Sequence, residues 1–421
     1  MKKMKVRTVI VLNSEKMVAS IAQQDLAHAD KYFEKALRED DSEVLLELAE
    51  YLESIGFLPQ AKRIYEQIKE DYPESYINLA QIAAEDGDIE GAFLYLDSVS
   101  QDSEDYLSAL LVMADLYQME GLADVAREKM LLASQLSDDP LVIFGLAEMD
   151  MEVEDYKAAI DHYAVLDNRE MLSLTGISTY QRIGRAYASL GKFEAAIEFL
   201  EKAVEIEYDD ATVFELAGLL YDQEEYQKAN LYFKQLDTMN PDFPGYEYHY
   251  ALSLHEEHKI EEALRLVQQG LTKNEFDVQL LLAASQFSYE LHDRQSAESY
   301  LLSAQKVAVD DEDILMRLST LYLEEERYQD VIKLDREDIE TLITKWNIAK
   351  AYREVDDEEK AFTSYQALEK ELKDNPEFLQ EYVYLLREFA EFEKAKQMAE
   401  VYLTLVPDDI NMMEFINEIN L

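Results

Sequence analysis

The stretch that decides the fold runs Tyr180-Gln-Arg-Ile-Gly184-Arg-Ala-Tyr187, then Gly191-Lys-Phe193, then Ala195-Ala196-Ile197 and on to Ala203. Apolar residues recur at helical spacing on both sides of Gly191, the pattern of two amphipathic helices of about a dozen residues broken by a turn. Gly184 and Ala196 are small where one helix must approach the other. Larger neighbours such as Tyr and Leu then fill the grooves between them.

Outward from this unit, the second small position recurs along the whole chain. It reads Ala29, Ala61, Ala92, Ala126, Ala159, Ala196, Ala229, Ala263, Ala297, Val331, Ala361 and Ala395. The steps are 32, 31, 34, 33, 37, 33, 34, 34, 34, 30 and 34 residues. Twelve residues earlier stands its companion on the first helix: Ala49, Ala80, Ala114, Ala147, Gly184, Ala217, Ala251, Ser285, Ser319 and Ala349. A period near 34 with two small residues per unit is the mark of stacked two-helix repeats.

Proline and glycine give a separate check, because proline is excluded from helix interiors and tolerated in a first turn. Pro73, Pro140, Pro241, Pro244, Pro376 and Pro407 fall between units, and Pro59 falls where a second helix opens. Gly56, Gly87, Gly121 and Gly191 fall in the turn within a unit. Two steps break the rhythm, so altered curvature is expected near residues 168–177 and 334–341.

At this point the chain resembles the tetratricopeptide repeat (TPR) family. Leu45, Leu48, Ala49, Gly56, Ala61, Tyr65 and Pro73 match its pattern, as do Tyr180, Ile183, Gly184, Tyr187, Ala196 and Ala203, and again Leu315, Leu318, Ser319 and Tyr322. The resemblance covers roughly residues 20–407. As a whole-chain pattern it is similar to the long acidic TPR proteins of low-GC Gram-positive bacteria. It implies an all-α fold, a right-handed α-solenoid of about twelve helix-turn-helix repeats. We expect a short basic extension over residues 1–13, the solenoid over 14–407, and a capping helix over 408–421 that covers the open face of the last repeat.

Composition narrows the function. With 39 Lys+Arg against 90 Asp+Glu the net charge is −51, a field that repels nucleic acid and anionic membrane and favours a basic protein partner. The same acidity also serves solubility. Cysteine is absent, which removes disulfides, thiolate metal sites and thiol nucleophiles. Lys2, Lys3, Lys5 and Arg7 precede an apolar run at 8–12 that is shorter than the ~7–15 residues of a signal-peptide core. No run reaches the ~18–20 residues of a membrane span. A cytoplasmic protein is expected, with Ser14 capping the first helix.

The resemblance also implies where a partner binds: the second, fifth, ninth and twelfth positions of each first helix face the concave wall of the solenoid. Phe144, Phe214, Tyr248, Met316 and Trp346 occupy fifth positions, and Tyr221, His255 and Tyr289 twelfth positions. These eight are the candidate protein- or peptide-binding residues, since large apolar groups not needed for packing mark contact sites. The competing reading is that they pack against neighbouring helices or a self-associating copy. Glu50, Glu53, Asp115 and Glu148 make the early wall acidic, whereas Arg185, Lys350, Arg353 and Arg387 make the late wall mildly basic. The acidic early positions break the Lys and Asn clamp by which some TPR proteins hold a chaperone carboxylate.

Catalytic signals are missing. His255-Glu-Glu-His258 offers an i, i+3 histidine pair, but it is not the His-Glu-x-x-His of a zinc protease, and His258 falls at the turn. No phosphate loop or nucleophile elbow occurs. The expectation is therefore a non-enzymatic interaction scaffold with no cofactor or metal. The alternative is a regulator whose solenoid changes curvature when a peptide binds.

Overall fold

The computed structural model describes residues 12–419, and every regular element among them is an α-helix. Almost all of the expected 1–13 extension lies outside the described residues. Contacts cluster into two compact units that divide after Thr212.

The first unit pairs α1 (Asn13–Ala22) with α2 (Leu26–Glu39), α3 (Ser42–Ser54) with α4 (Leu58–Ile68), α5 (Ser75–Glu85) with α6 (Ile89–Leu96), α7 (Tyr106–Met119) with α8 (Ala123–Leu136), and α9 (Pro140–Glu152) with α10 (Tyr156–Ala164). After α11 (Asn168–Thr175) comes the pair α12 (Thr179–Ser189) and α13 (Phe193–Ile206). α14 (Asp210–Asp222) straddles the division and pairs with α15 (Tyr226–Met239).

The second unit continues with α16 (Tyr246–Glu256) and α17 (Ile260–Lys273), α18 (Val278–Glu290) and α19 (Arg294–Val307), and α20 (Glu312–Glu324) and α21 (Tyr328–Ile332). It ends with α22 (Leu342–Glu354) and α23 (Glu358–Leu368), α24 (Pro376–Glu388) and α25 (Phe392–Leu405), and the single helix α26 (Ile410–Ile419). Among the described residues these make twelve hairpins.

The small residues do the work expected of them. All twelve second-helix positions, from Ala29 to Ala395, are buried, and so are all ten of their first-helix companions. The hydroxyl of Ser285 donates to the backbone oxygen of Ala297 at 3.0 Å, so the two backbones are nearly in contact. Bulky residues such as Tyr65, Tyr163, Phe233 and Phe378 are fully buried around these close approaches.

Each of the twelve hairpin turns places one residue in the left-handed region, five positions before the small residue. Four of these are the glycines named above. The others are Gln24, Glu154, Glu224, His258, His292, Glu326, Asp356 and Ala390, with φ between 58° and 63°. The next residue then bonds back to the first helix, as in Lys192 N–H to Tyr187 O and Lys259 N–H to Leu254 O, both 2.9 Å. This closure explains why glycine was a partial signal. The geometry is shared by every turn, and eight of them carry it on residues that bear a Cβ.

The irregular steps have local solutions. The long step inserts α11, whose first residue Asn168 accepts from the backbone N–H of Thr179 at 2.8 Å and from the hydroxyls of Ser178 and Thr179 at 2.9 and 3.1 Å. One buried amide thus caps α12 from outside it. The short step truncates α21 to five residues. The chain after it is tied down by Glu312, which accepts from Glu340 N–H at 3.1 Å and Thr341 N–H at 2.9 Å.

Ser14 is not the cap of the first helix. α1 already includes Asn13, and Ser14 is buried in its first turn, donating through N–H and Oγ to Asp40 at 2.8 and 2.6 Å. The capping carboxylate comes from the end of the neighbouring helix. At the other end, Met412 and Phe415 of α26 are buried, Phe415 edge-on to Tyr384 at 5.5 Å.

Candidate functional site

The eight residues chosen from the sequence divide by burial. Phe144 is 7% exposed and packs edge-on to Tyr163, 5.7 Å between ring centres. Trp346 is 8% exposed, crosses Phe378 at 5.9 Å, and donates its indole N–H to Glu381 at 2.9 Å. Neither is available to a partner. At both positions the next helices supply large aromatic rings that close over the side chain, so the fifth position becomes core.

Phe214 and Tyr221 are half-buried. Phe214 packs among Phe233, Phe243 and His249, at 6.1, 5.3 and 5.3 Å, and Tyr221 meets Tyr226 at 5.6 Å. Tyr248 is half-buried beside exposed His249. His255 stacks on Phe287 at 5.0 Å, and its Nε2 lies 2.8 Å from Glu290 Oε2. His258 lies beyond the end of α16, in the left-handed turn position, so the two histidines do not share a helical face. Among the described residues no group of three or more His, Asp or Glu is placed to hold a metal.

Tyr289 and Met316 come together. Both line a cleft of about 460 Å³ between α18 and α20, with Ser285, Gln286, Ala297, Leu301, Arg317, Thr320, Leu321 and Ile343. Ser285 and Ala297, the small pair of this repeat, are among the lining residues. Tyr289 is 40% and Ile343 50% exposed. The Tyr289 hydroxyl donates to Glu324 Oε2 at 2.7 Å, and Arg317 Nε donates to Asp313 Oδ2 at 2.8 Å. Gln286, Thr320 and Ile343 escaped selection, which drew on fifth and twelfth positions only. The positional rule that picked Tyr289 and Met316 covers them equally, as ninth and second positions.

Two of the four late-wall cations are matched by carboxylates. Lys350 lies 3.2 Å from both Glu377 and Glu381 and 3.8 Å over the Trp346 ring, and Arg353 lies 3.2 Å from Glu388. Each cation is answered by a carboxylate of α24, the first helix of the next hairpin. In the first unit two of the four early carboxylates are likewise engaged. Glu53 accepts from Tyr65 and Asn78 at 2.6 and 3.2 Å, and Glu148 accepts from Tyr163 and, at 2.8 Å, from Arg182.

One polar centre was not foreseen. Asp150 is fully buried, and its two oxygens meet Arg127 Nε at 2.5 Å and His162 Nδ1 at 2.6 Å. It stands three residues after Ala147, where Leu52, Leu220, Leu254 and Leu386 stand in other repeats. An acid at a core position of the repeat was the available signal.

Paired helices of this length, small-residue contacts and left-handed hairpin closures define a solenoid of TPR repeats, the fold of the tetratricopeptide repeat proteins. Models of that family match as "YpiA-like, tetratricopeptide repeats" over 118–171, "YpiA-like, C-terminal tetratricopeptide repeats" over 343–409, "Tetratricopeptide repeat" over 177–210, and "Tetratricopeptide repeat protein 21 ARM repeat" over 8–121. The chain is 26% identical over 363 residues to the TPR repeat-containing protein YpiA of Bacillus subtilis (strain 168), spanning 84% of this chain and 85% of that one. Similar solved structures include a tetratricopeptide repeat protein from Parabacteroides merdae, 14% identical with TM-score 0.40, covering 57% of this chain and 98% of that one. Another is YrrB, described as a TPR protein with an unusual peptide-binding site, 17% identical with TM-score 0.38, covering 47% and 97%.

No helix among the described residues is long and apolar enough to cross a membrane.

Proposed function

We propose that this chain is a non-catalytic cytoplasmic scaffold that holds a partner protein or peptide on the inner face of its first helices. Residues 14–407 form the repeat scaffold in this reading, and 408–421 its cap. The observation that carries it is the exposure of Tyr289 and Ile343 beside a cleft that packing leaves open. Large apolar groups kept out of a core and gathered at one concave place are the usual anchors of a partner. The net charge of −51 favours a partner segment that is basic as well as apolar.

A pull-down from bacterial lysate tests the reading, with Tyr248→Ala and Tyr289→Ala combined. The double variant is expected to lose a partner that the parent protein captures, at unchanged helicity and thermal midpoint. Each aromatic anchor contributes about 2 kcal/mol when it is a hot spot. Undiminished capture would place the binding surface elsewhere, and a collapse of helicity would make these residues structural.

A further inference from the structure

A second surface lies on α6, the outer helix of the third hairpin. Ala92 and Leu96 are fully buried, while Glu90, Phe93, Leu94 and the C-capping Asp97 recur at i, i+3, i+4 and i+7 and so share another face of the helix. Between that face and the turn from α7 to α8 runs a groove of about 420 Å³, with an apolar lining of Ile89, Phe93, Leu94 and Leu122. Phe93 stacks on Tyr117 at 4.4 Å, whereas Leu94 is 66% and Leu122 50% exposed. None of these residues holds an inner-face position of its repeat.

Three carboxylates rim the groove: Glu90, Asp97 and Glu120. Among the described residues none of them forms an ion pair or a side-chain hydrogen bond. The cations of α8 are turned elsewhere, Arg127 to Asp150 and Asp155 and Lys129 to the Tyr117 ring at 5.9 Å. Two hairpins earlier the same register is closed, because Arg63, two residues after Ala61, reaches Glu34, five residues after Ala29, at 2.8 Å. The equivalent places here hold Glu128, two after Ala126, and Asp97, five after Ala92. Two acids stand where an ion pair ties α4 to α2.

We infer that this outer groove docks a basic amphipathic helix of a partner protein, on a surface separate from the inner face. A helix laid along α6 matches its pattern of acid, apolar pair and acid when cations stand at i and i+7 and bulky apolar residues at i+3 and i+4. Glu90 and Asp97, seven residues apart, are about 10 Å apart along the axis, which fits two cations on successive turns rather than one small ion. The apolar pair covers Phe93 and Leu94 and takes Leu122 out of water. A second copy of this chain, itself at −51, would bring acid against the acid rim.

The probe is an acetylated, amidated alanine–glutamine helix about sixteen residues long, with lysines at i and i+7 and leucines at i+3 and i+4. Comparators replace the lysines by glutamate or the leucines by alanine, and fluorescence anisotropy of labelled peptide reads binding to the full chain. Leu94→Arg supplies the cation that Arg63 supplies earlier, and Glu90→Gln with Asp97→Asn removes the rim charge. All three positions are exposed, and circular dichroism confirms that both variants keep their helicity. The lysine–leucine peptide is expected to bind, to weaken about tenfold with either variant and with either comparator, and to weaken with salt. Tyr248→Ala with Tyr289→Ala is expected to leave this binding unchanged.

Binding that survives Leu94→Arg or the carboxylate pair, equal binding of the glutamate comparator, or no binding at all overturns the inference. Loss of the peptide from the Tyr248 and Tyr289 double variant overturns it as well, by moving the peptide to the inner face. The pull-down judges the scaffold reading separately, since neither Leu94→Arg nor the carboxylate pair alters an inner-face residue.

Discussion

Gly184 lies so near α13 that a Cβ built on it would stand 2.8 Å from Leu200 Cγ and 3.2 Å from the backbone oxygen of Ala196. The oxygen belongs to the facing helix and cannot move without its hairpin. Gly184→Val should therefore overpack the pair and cost about 1–3 kcal/mol. Urea denaturation measures the loss. Hydrogen exchange should speed up in α12 and α13 first, because repeats couple mainly to their neighbours. Uniform loosening across the chain would contradict that.

The buried Asp150 carboxylate joins α9 to Arg127 of α8 and His162 of α10. Asp150→Ala leaves two polar groups without their acceptor and opens a gap, and a loss of about 2 kcal/mol is expected, discounted because Arg127 and His162 are both about one third exposed. Asp150→Leu, the residue at this place in several other repeats, should cost less than the alanine variant. Equal urea midpoints for the two would show that the loss comes from the missing carboxylate and not from the gap.

Ala390 holds φ at +60° in the last hairpin turn. A left-handed residue with a Cβ costs about 1–2 kcal/mol, so Ala390→Gly should stabilise the C-terminal hairpin, and Gly191→Ala, at φ +69°, should destabilise its own. Thermal midpoints moving in opposite directions are the expected outcome.

Burial, with hydrogen bonding to Glu298 second, pushes Tyr322 up to about 12, and burial pushes Tyr250 to about 12. In the unfolded chain these phenols ionise near their ordinary 10.0. Their contribution is complete below pH 10 and is lost as pH rises from about 10 towards 12. Absorbance at the phenolate band should rise as the thermal midpoint falls over that window.

On the acid side, the hydrogen bond from Arg327 holds Glu298 below its ordinary 4.5. Arg327 Nη1 and Nη2 grip both Glu298 oxygens at 2.7 and 2.8 Å, and Nε binds Asp330 at 2.9 Å. This support is present above pH 4.5 and disappears as pH falls through the lowered value. Arg327→Gln should flatten the acid limb of the stability curve, and a curve unchanged by that variant would assign acid sensitivity to other carboxylates.

The 34-residue period, the buried run from Ala29 to Ala395 and the hairpin boundaries were all legible in the sequence. Each is set by contacts within one unit or with the next, at nearly constant separation, and a local rule repeated twelve times leaves a periodic trace. The steps of 37 and 30 residues marked where regularity fails, but not that Asn168 would cap α12 or that α21 would shrink to a single turn. Burial of the inner-face residues was decided only in three dimensions. Trp346 and Tyr289 obey the same positional rule, yet Phe378 and Glu381 close over the first, while the second stays beside an open cleft. Whether such a side chain is core or surface depends on the bulk that the neighbouring helices bring to it, and one helix's own spacing carries no record of that.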